Sequence, residues 1–141
     1  MPVEVARADD AAVEEFLRGT QREALRTLYG FNVVWFEQKI EFAARDGTAI
    51  VAAARILVAA SLTHVVTVVV TPERRGEGIG KRLLAEAAEV AGYNNCHKMS
   101  ALVPYRSAAQ AFLEACDYKE EAVLRQHTFK LDVAVMRKFL L

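Results

Sequence analysis

"THVVTVVVTPERRGEGIGKRLL", residues 63–84, joins two kinds of sequence. Its first half is a run of β-branched residues, the composition of a strand. Its second half opens a helical pattern, with Ile79, Leu83, Ala87 and Val90 on one face to about Ala91. Between them stand Pro72, paired arginines and three glycines at alternate positions. A strand, a glycine turn and a helix in that order place an anion against free first-turn amides and the positive end of the helix dipole.

Two familiar devices of this kind do not fit. A phosphate-binding loop of the Walker type needs a glycine, four intervening residues, then Gly-Lys and a hydroxyl after it. Here Arg75 and Arg82 occupy those places. A dinucleotide fingerprint needs its third glycine where Lys81 stands, and an acid at the end of the next strand, where "CHKMSALV" has none. What remains is Arg75-Gly76-Glu77-Gly78-Ile79-Gly80. Glycines let the chain turn tightly and let a ligand approach the backbone. A pyrophosphate fits, with charge-assisted contacts from Arg75 and Lys81.

Working outward, Asp46-Gly47 lies between two apolar stretches and predicts a hairpin of Ile40 to Arg45 with Thr48 to Val58. A turn near Ala59 to Ser61 leads into the valine strand, whose continuous apolar character predicts cover on both faces. Near the start, Val3 to Ala6 is a candidate first strand. Two short helices follow, one capped by Asp9 or Asp10 and broken at Gly19-Thr20, the other closed by Gly30. After the glycine segment, Gly92 is expected to end the helix. "CHKMSALV" is then a strand, Tyr105 to Cys116 a helix, and Glu121 to Phe129 and Asp132 to Leu140 two final strands. The fold class is α+β, with a mixed, mostly antiparallel sheet flanked by helices. The helix between the fourth and fifth predicted strands makes that pair parallel.

The chain has 141 residues, 18 of them Lys or Arg and 18 Asp or Glu. One domain over 1–141 is expected. Balanced charge favours neither nucleic acid nor an anionic membrane as a general partner. Cys96 and Cys116 lack metal-ligand spacing and are expected as packed thiols, so no metal is expected. The opening "MPVEVARADD" lacks the pattern of a signal peptide, and "AIVAAARILVAASL" is broken by Arg55, so a cytoplasmic protein without a membrane span is expected.

Arg75-x-x-Gly78-x-Gly80, entered through "VVVTPERRG", resembles the acyl-CoA loop of the GNAT superfamily of N-acyltransferases, whose motif is Arg/Gln-x-x-Gly-x-Gly/Ala. The order of elements and the ending "LRQHTFKLDVAVMRKFL" are similar to that family as well. The resemblance implies a GNAT-like sheet whose parallel strands, four and five, splay apart. It implies acetyl-CoA or another acyl-CoA as cofactor. The pyrophosphate would lie on the amides of Arg75, Gly76, Glu77, Gly78, Ile79, Gly80 and Lys81. The pantetheine arm would run along the backbone of Val68, Val69 and Val70, and the acyl group would enter the splay.

Amine acylation needs a deprotonated nucleophile, hence a base, and an acid for the leaving thiolate. Many family members use a carboxylate on the fourth strand and a tyrosine on the last helix. Here Val66 and Thr67 stand in the first place. In "RSAAQAFLEACDY", similar to the family's "NxAAxxLYExLGF", Arg106 replaces the asparagine and Leu113 the tyrosine. The remaining candidates are His64 as base, whose ordinary pKa of about 6.5 suits neutral pH, and Tyr105 as acid. Direct transfer by positioning and a backbone oxyanion donor needs little more.

The expected activity is transfer of an acetyl group to a primary amine of a small molecule or protein. The alternative is an acyl-CoA-binding sensor or interaction module without efficient catalysis. The acceptor would meet the early helices, "FNVVWF" and the last hairpin, with Trp35 and Phe36 as pocket or core, and Glu37 and Glu41 drawing a cationic amine. A homodimer through the last strand is a further expectation.

Overall fold

The computed structural model describes residues 2–140. It divides into two compact units, Met1–Trp35 and Phe36–Leu141, each described here by itself.

The first unit is one helix, α1, Ala11–Tyr29. The side chain of Asp10 caps it by accepting from the amides of Ala12 and Val13 at 3.1 and 3.2 Å. Gly30, at φ 82°, closes it by donating its N–H to the Arg26 carbonyl at 2.9 Å. The two predicted helices are therefore a single one. An interior glycine costs a helix only about 1 kcal/mol, and two sound caps outweigh the break expected at Gly19-Thr20. The strand expected at Val3 to Ala6 does not form, because that segment has no ladder partner.

The second unit holds six strands: β1 (Gln38–Asp46), β2 (Ala49–Ala59), β3 (Leu62–Val70), β4 (Lys98–Pro104), β5 (Lys119–Leu124) and β6 (Val133–Phe139). They form one sheet in the order β1-β2-β3-β4-β6-β5. Only β3 and β4 pair in parallel; all other pairs are antiparallel. The hairpin at Asp46-Gly47 is present, with Gly47 at φ 62°. Helices α2 (Ile79–Tyr93) and α3 (Ala108–Ala115) complete the unit. Leu84, Ala87 and Ala91 of α2 and Leu113 of α3 share a core with Ile56, Val65, Met99, Ala101, Ala134 and Met136 of the sheet. Both helices thus bury one face of the sheet. Gly92 does not end α2. The helix runs one residue further, and Asn95, at φ 59°, takes the left-handed position beyond it. The last hairpin turns earlier than expected, as Gln126, Phe129 and Lys130 adopt positive φ.

Two irregularities on β3 position the site. Its ladder with β4 holds only Leu62↔Lys98, Thr63↔Met99 and His64↔Ser100, then stops. Against β2 the register slips between Arg55↔Thr67 and Ile56↔Val65, leaving Val66 as an extra, bulged residue. The bulge shifts the phase of the strand. Thr63 and Val65 face the helices, and beyond Val66 it is Val68 and Val70 that pack toward α2. Within this unit only one face of the valine strand is covered by helices, and Val66 and Val69 lie on the other face.

Candidate active site

The glycine segment enters through a 3-10 turn, Pro72–Arg74. Gly76 and Gly78 then sit at φ 83° and 80°, and a Cβ built on either meets nothing within 4 Å. The left-handed backbone is the reason for glycine at both positions. Gly80 has a different reason. Its Cβ would stand 3.0 Å from Cζ of Phe112, so the missing side chain lets α3 approach the start of α2.

No side chain caps α2, and its first turn carries no acid. The first helical bond runs from the Arg82 amide to the Gly78 carbonyl at 3.1 Å. The amides before it, from Gly78 to Lys81, precede the ladder of the helix and point out of its positive end.

These amides face a cleft of about 510 Å³. Val68 and Val70 form one wall, the three loop glycines and Ile79 the base, and Ala108 and Phe112 of α3 the far wall. Arg74, Arg75 and Lys81 also line it. The dimensions and donors suit a diphosphate with an apolar arm beside it, so the residues present fit a CoA-type ligand.

The paired arginines divide their work. Arg74 donates to Asp46 at 2.8 Å and to Glu77 at 2.9 Å, pinning the loop to the β1–β2 turn. Those two carboxylates hold its guanidinium pKa above the ordinary value. Glu77 spends its charge on Arg74 and does not line the cleft. Arg75 Nε donates instead to the Val70 carbonyl at 3.1 Å, which tethers its guanidinium at the end of β3. Among the described residues no carboxylate pairs with Arg75, so its charge is left for an anion in the cleft.

A second, smaller space of about 90 Å³ lies where β3 and β4 part. Val65 and Val68, Ala101, and Leu113 line it on the helix side, and Val66, Thr67 and Leu102 on the outer side. It therefore passes between the strands and joins the two faces of the sheet. Val68 and Phe112 line both this slot and the cleft.

His64 is the last β3 residue paired with β4, at the root of the splay. It is half-buried, and burial pushes its imidazole pKa below the ordinary 6.5. It lies on the same outer side as Val66 and Thr67. Tyr105 lies elsewhere. It follows β4, stacks under Arg106 with the guanidinium 5.0 Å from the ring centre, and lines a shallow depression with Gln110 and Glu120. Neither the cleft nor the slot includes it. Among the remaining predicted residues, Val69 turns its side chain outward and does not line the cleft. On the outer face Arg55 Nε donates to Glu41 at 2.8 Å, which holds that carboxyl below its usual range. Trp35 and Phe36 fall at the junction of the two units and belong to neither buried cluster of the second unit. Cys96 and Cys116 are buried free thiols, as expected; burial pushes the Cys116 thiol up. Phe112, shared by both cavities, is the site residue that sequence reasoning missed. Its signal was Gly80, a glycine within a helix that needs a close neighbour.

The Acetyltransferase (GNAT) family model matches residues 7–118. The chain belongs to the GNAT acetyltransferase family. Among curated proteins, none matches its sequence significantly. Solved structures with the same fold include an acetyltransferase from Bacillus cereus, 15% identical with TM-score 0.76, the alignment covering 97% of this chain and 98% of that one. An acetyltransferase from Bacillus subtilis in complex with CoA is 14% identical with TM-score 0.67, covering 98% and 97%. The ribosomal-protein-S18-alanine N-acetyltransferase from Escherichia coli is 19% identical with TM-score 0.63, covering 72% and 68%. The expected mixed sheet with one splayed parallel pair is the fold these GNAT structures share. Among the described residues, no helix is long and apolar enough to cross a membrane, and no group of three His, Cys, Asp or Glu could hold a metal ion.

Proposed function

We propose that the chain transfers an acetyl group from acetyl-CoA to a primary amine. The single observation that carries this reading is the uncapped, acid-free start of α2 opening onto a cleft that leads to the β3–β4 slot. Bound there, acetyl-CoA supplies a thioester whose acetyl carbon is exchanged from sulfur to nitrogen: a C–N bond forms, the C–S bond breaks, and the proton lost by the amine ends on the thiol.

The protein's part is placement and proton handling. The amides of Gly76 to Lys81, with Arg75 and Lys81, hold the diphosphate. The open edge of β3 from Val68 to Val70 guides the amide-bearing arm toward the slot. The amine comes from the outer face, past Val66, Thr67 and Leu102. Backbone N–H groups freed by the bulge and the splay stabilise the developing oxyanion. His64 takes the amine's proton, directly or through water. Its depressed pKa keeps the imidazole neutral at pH 7, so turnover should fall on an acid limb below pH 6.5. The same sign governs folding. The unfolded chain binds that proton first, so His64 lowers stability as pH drops below 6.5. Thiolate protonation needs no side chain here. Tyr105 stands apart from both cavities and has no support as the acid.

The whole chain, residues 1–141, works in this reading as one acetyltransferase domain, since the family match spans both units. The family favours a transferase over a non-catalytic CoA-binding module. Acceptors of the class include an alanine of ribosomal protein S18, which the S18 enzyme's name states for that protein, and small amines.

The test is thermal unfolding with and without acetyl-CoA. Ligand at about a hundred times its dissociation constant adds about 2.7 kcal/mol, a shift of several degrees for this size. Arg75→Glu should abolish the shift while folding normally. A well-folded wild type with no shift would overturn the reading.

A further inference from the structure

We propose that Arg74 is a positioning residue for the CoA site: it acts through Glu77, holding that carboxylate away from the place of the diphosphate. The inference rests on the functional reading above. It concerns two residues that the Arg75-x-x-Gly78-x-Gly80 motif does not specify.

Glu77 is anomalous by its position. It stands within an anion-binding loop, between Gly76 and Gly78, and immediately before the residue that opens α2. No side chain caps that helix. A carboxylate at this point is drawn by the helix dipole toward the same free amides that the diphosphate would use. Left unheld, Glu77 is a built-in competitor for the site.

Three hydrogen bonds fix it elsewhere. Arg74 Nε donates to Glu77 Oε2 at 2.9 Å and Nη2 to Oε1 at 3.2 Å, a two-pronged grip on one carboxylate. Arg74 Nη1 donates to Asp46 Oδ2 at 2.8 Å, which sets the guanidinium against the β1–β2 turn. All three of its nitrogens are thereby engaged. The consequence shows in the two spaces beside the start of α2. Glu77 lines a groove of about 460 Å³ on the β1 side of the helix, together with Arg45 and Arg82, and does not line the cleft. Arg74 lines both. Its charge therefore stands between the anion the protein carries and the anion it would bind.

The measurement is a double-mutant cycle on acetyl-CoA affinity by isothermal titration, with urea unfolding of each variant beside it. In the wild-type background Arg74→Gln frees Glu77 and should weaken acetyl-CoA about tenfold. In the Glu77→Gln background no competing carboxylate remains, and the same change should weaken it less than about threefold. Equal losses in the two backgrounds would mean that Arg74 touches the phosphates itself or serves only the fold, and would overturn the inference. So would an Arg74→Gln variant that binds as tightly as wild type. If Arg74→Gln does not fold, Glu77→Asp decides. That acid is one methylene too short to keep both bonds to Arg74, and should bind acetyl-CoA about fivefold or more weakly than the neutral Glu77→Gln. Equal or reversed affinities for these two variants overturn the inference while leaving CoA binding intact. Absence of acetyl-CoA binding in wild type overturns the functional reading, and this inference with it.

Discussion

The starts of α2 and α3 face the same cleft and are built in opposite ways. At α3, Ser107 Oγ accepts the Gln110 amide at 3.2 Å. Gln110 then folds back, accepting the Arg106 amide at 2.6 Å and donating to Glu120 at 2.7 Å. That helix satisfies its own donors. At α2 the residue before the helix is Gly78, at φ 80°, with no side chain to cap anything. Even α1, with Asp10, follows the first pattern. A self-capped helix end is finished by folding. An uncapped one, with no acid in its first turn and a tethered arginine beside it, keeps its first amides free for the ligand proposed above.

Giving α2 a carboxylate at its start is the strongest way to break this contrast. Gly78→Asp should weaken acetyl-CoA roughly a hundredfold, about 2.7 kcal/mol, because the new charge takes the place of the diphosphate. Its left-handed backbone would cost roughly 1 kcal/mol in stability. Isothermal titration beside urea unfolding separates the two effects, and unaltered affinity would place the phosphates elsewhere. A smaller effect sharpens the packing side of the contrast. Gly80→Ala should destabilise the protein by about 1–3 kcal/mol through overpacking on Phe112. Adding Phe112→Leu should return part of that loss, and strict additivity in the double mutant would show that the ring is not held as described. The smallest effect belongs to α3. Ser107→Ala should cost about 1 kcal/mol of stability and leave acetyl-CoA affinity unchanged. A loss of affinity there would mean that both helix starts serve the ligand.

Several features were legible because they are local. The Asp46-Gly47 hairpin, the start of α1 at Asp9 or Asp10, the strand–loop–helix order around Arg75 to Lys81 and the parallel pair all follow from short-range chemistry or from chain connectivity. The failures have particular causes. Gly19 looked like a break because propensity weighs one residue, whereas caps at both ends decide a helix. Val3 to Ala6 has strand composition, but a strand exists only with a partner. The bulge at Val66 left no mark in "HVVTVVV", since an all-β-branched run has no polar alternation to reveal a change of phase. Tyr105 was close in sequence to the site and was carried away from it by the turn before α3.

By itself, then, the sequence determined the strand, the glycine turn and the uncapped helix start, and the fold around them. Glycine spacing, a missing cap and β-branched runs act through the backbone of a few neighbouring residues. Only the tertiary structure decided which of the two cleft-lining arginines keeps its charge unpaired, since Arg74 is claimed by Asp46, 28 positions away, and by Glu77. It also decided that Phe112 lines both cavities, because that depends on how closely two helices distant in sequence can approach across Gly80.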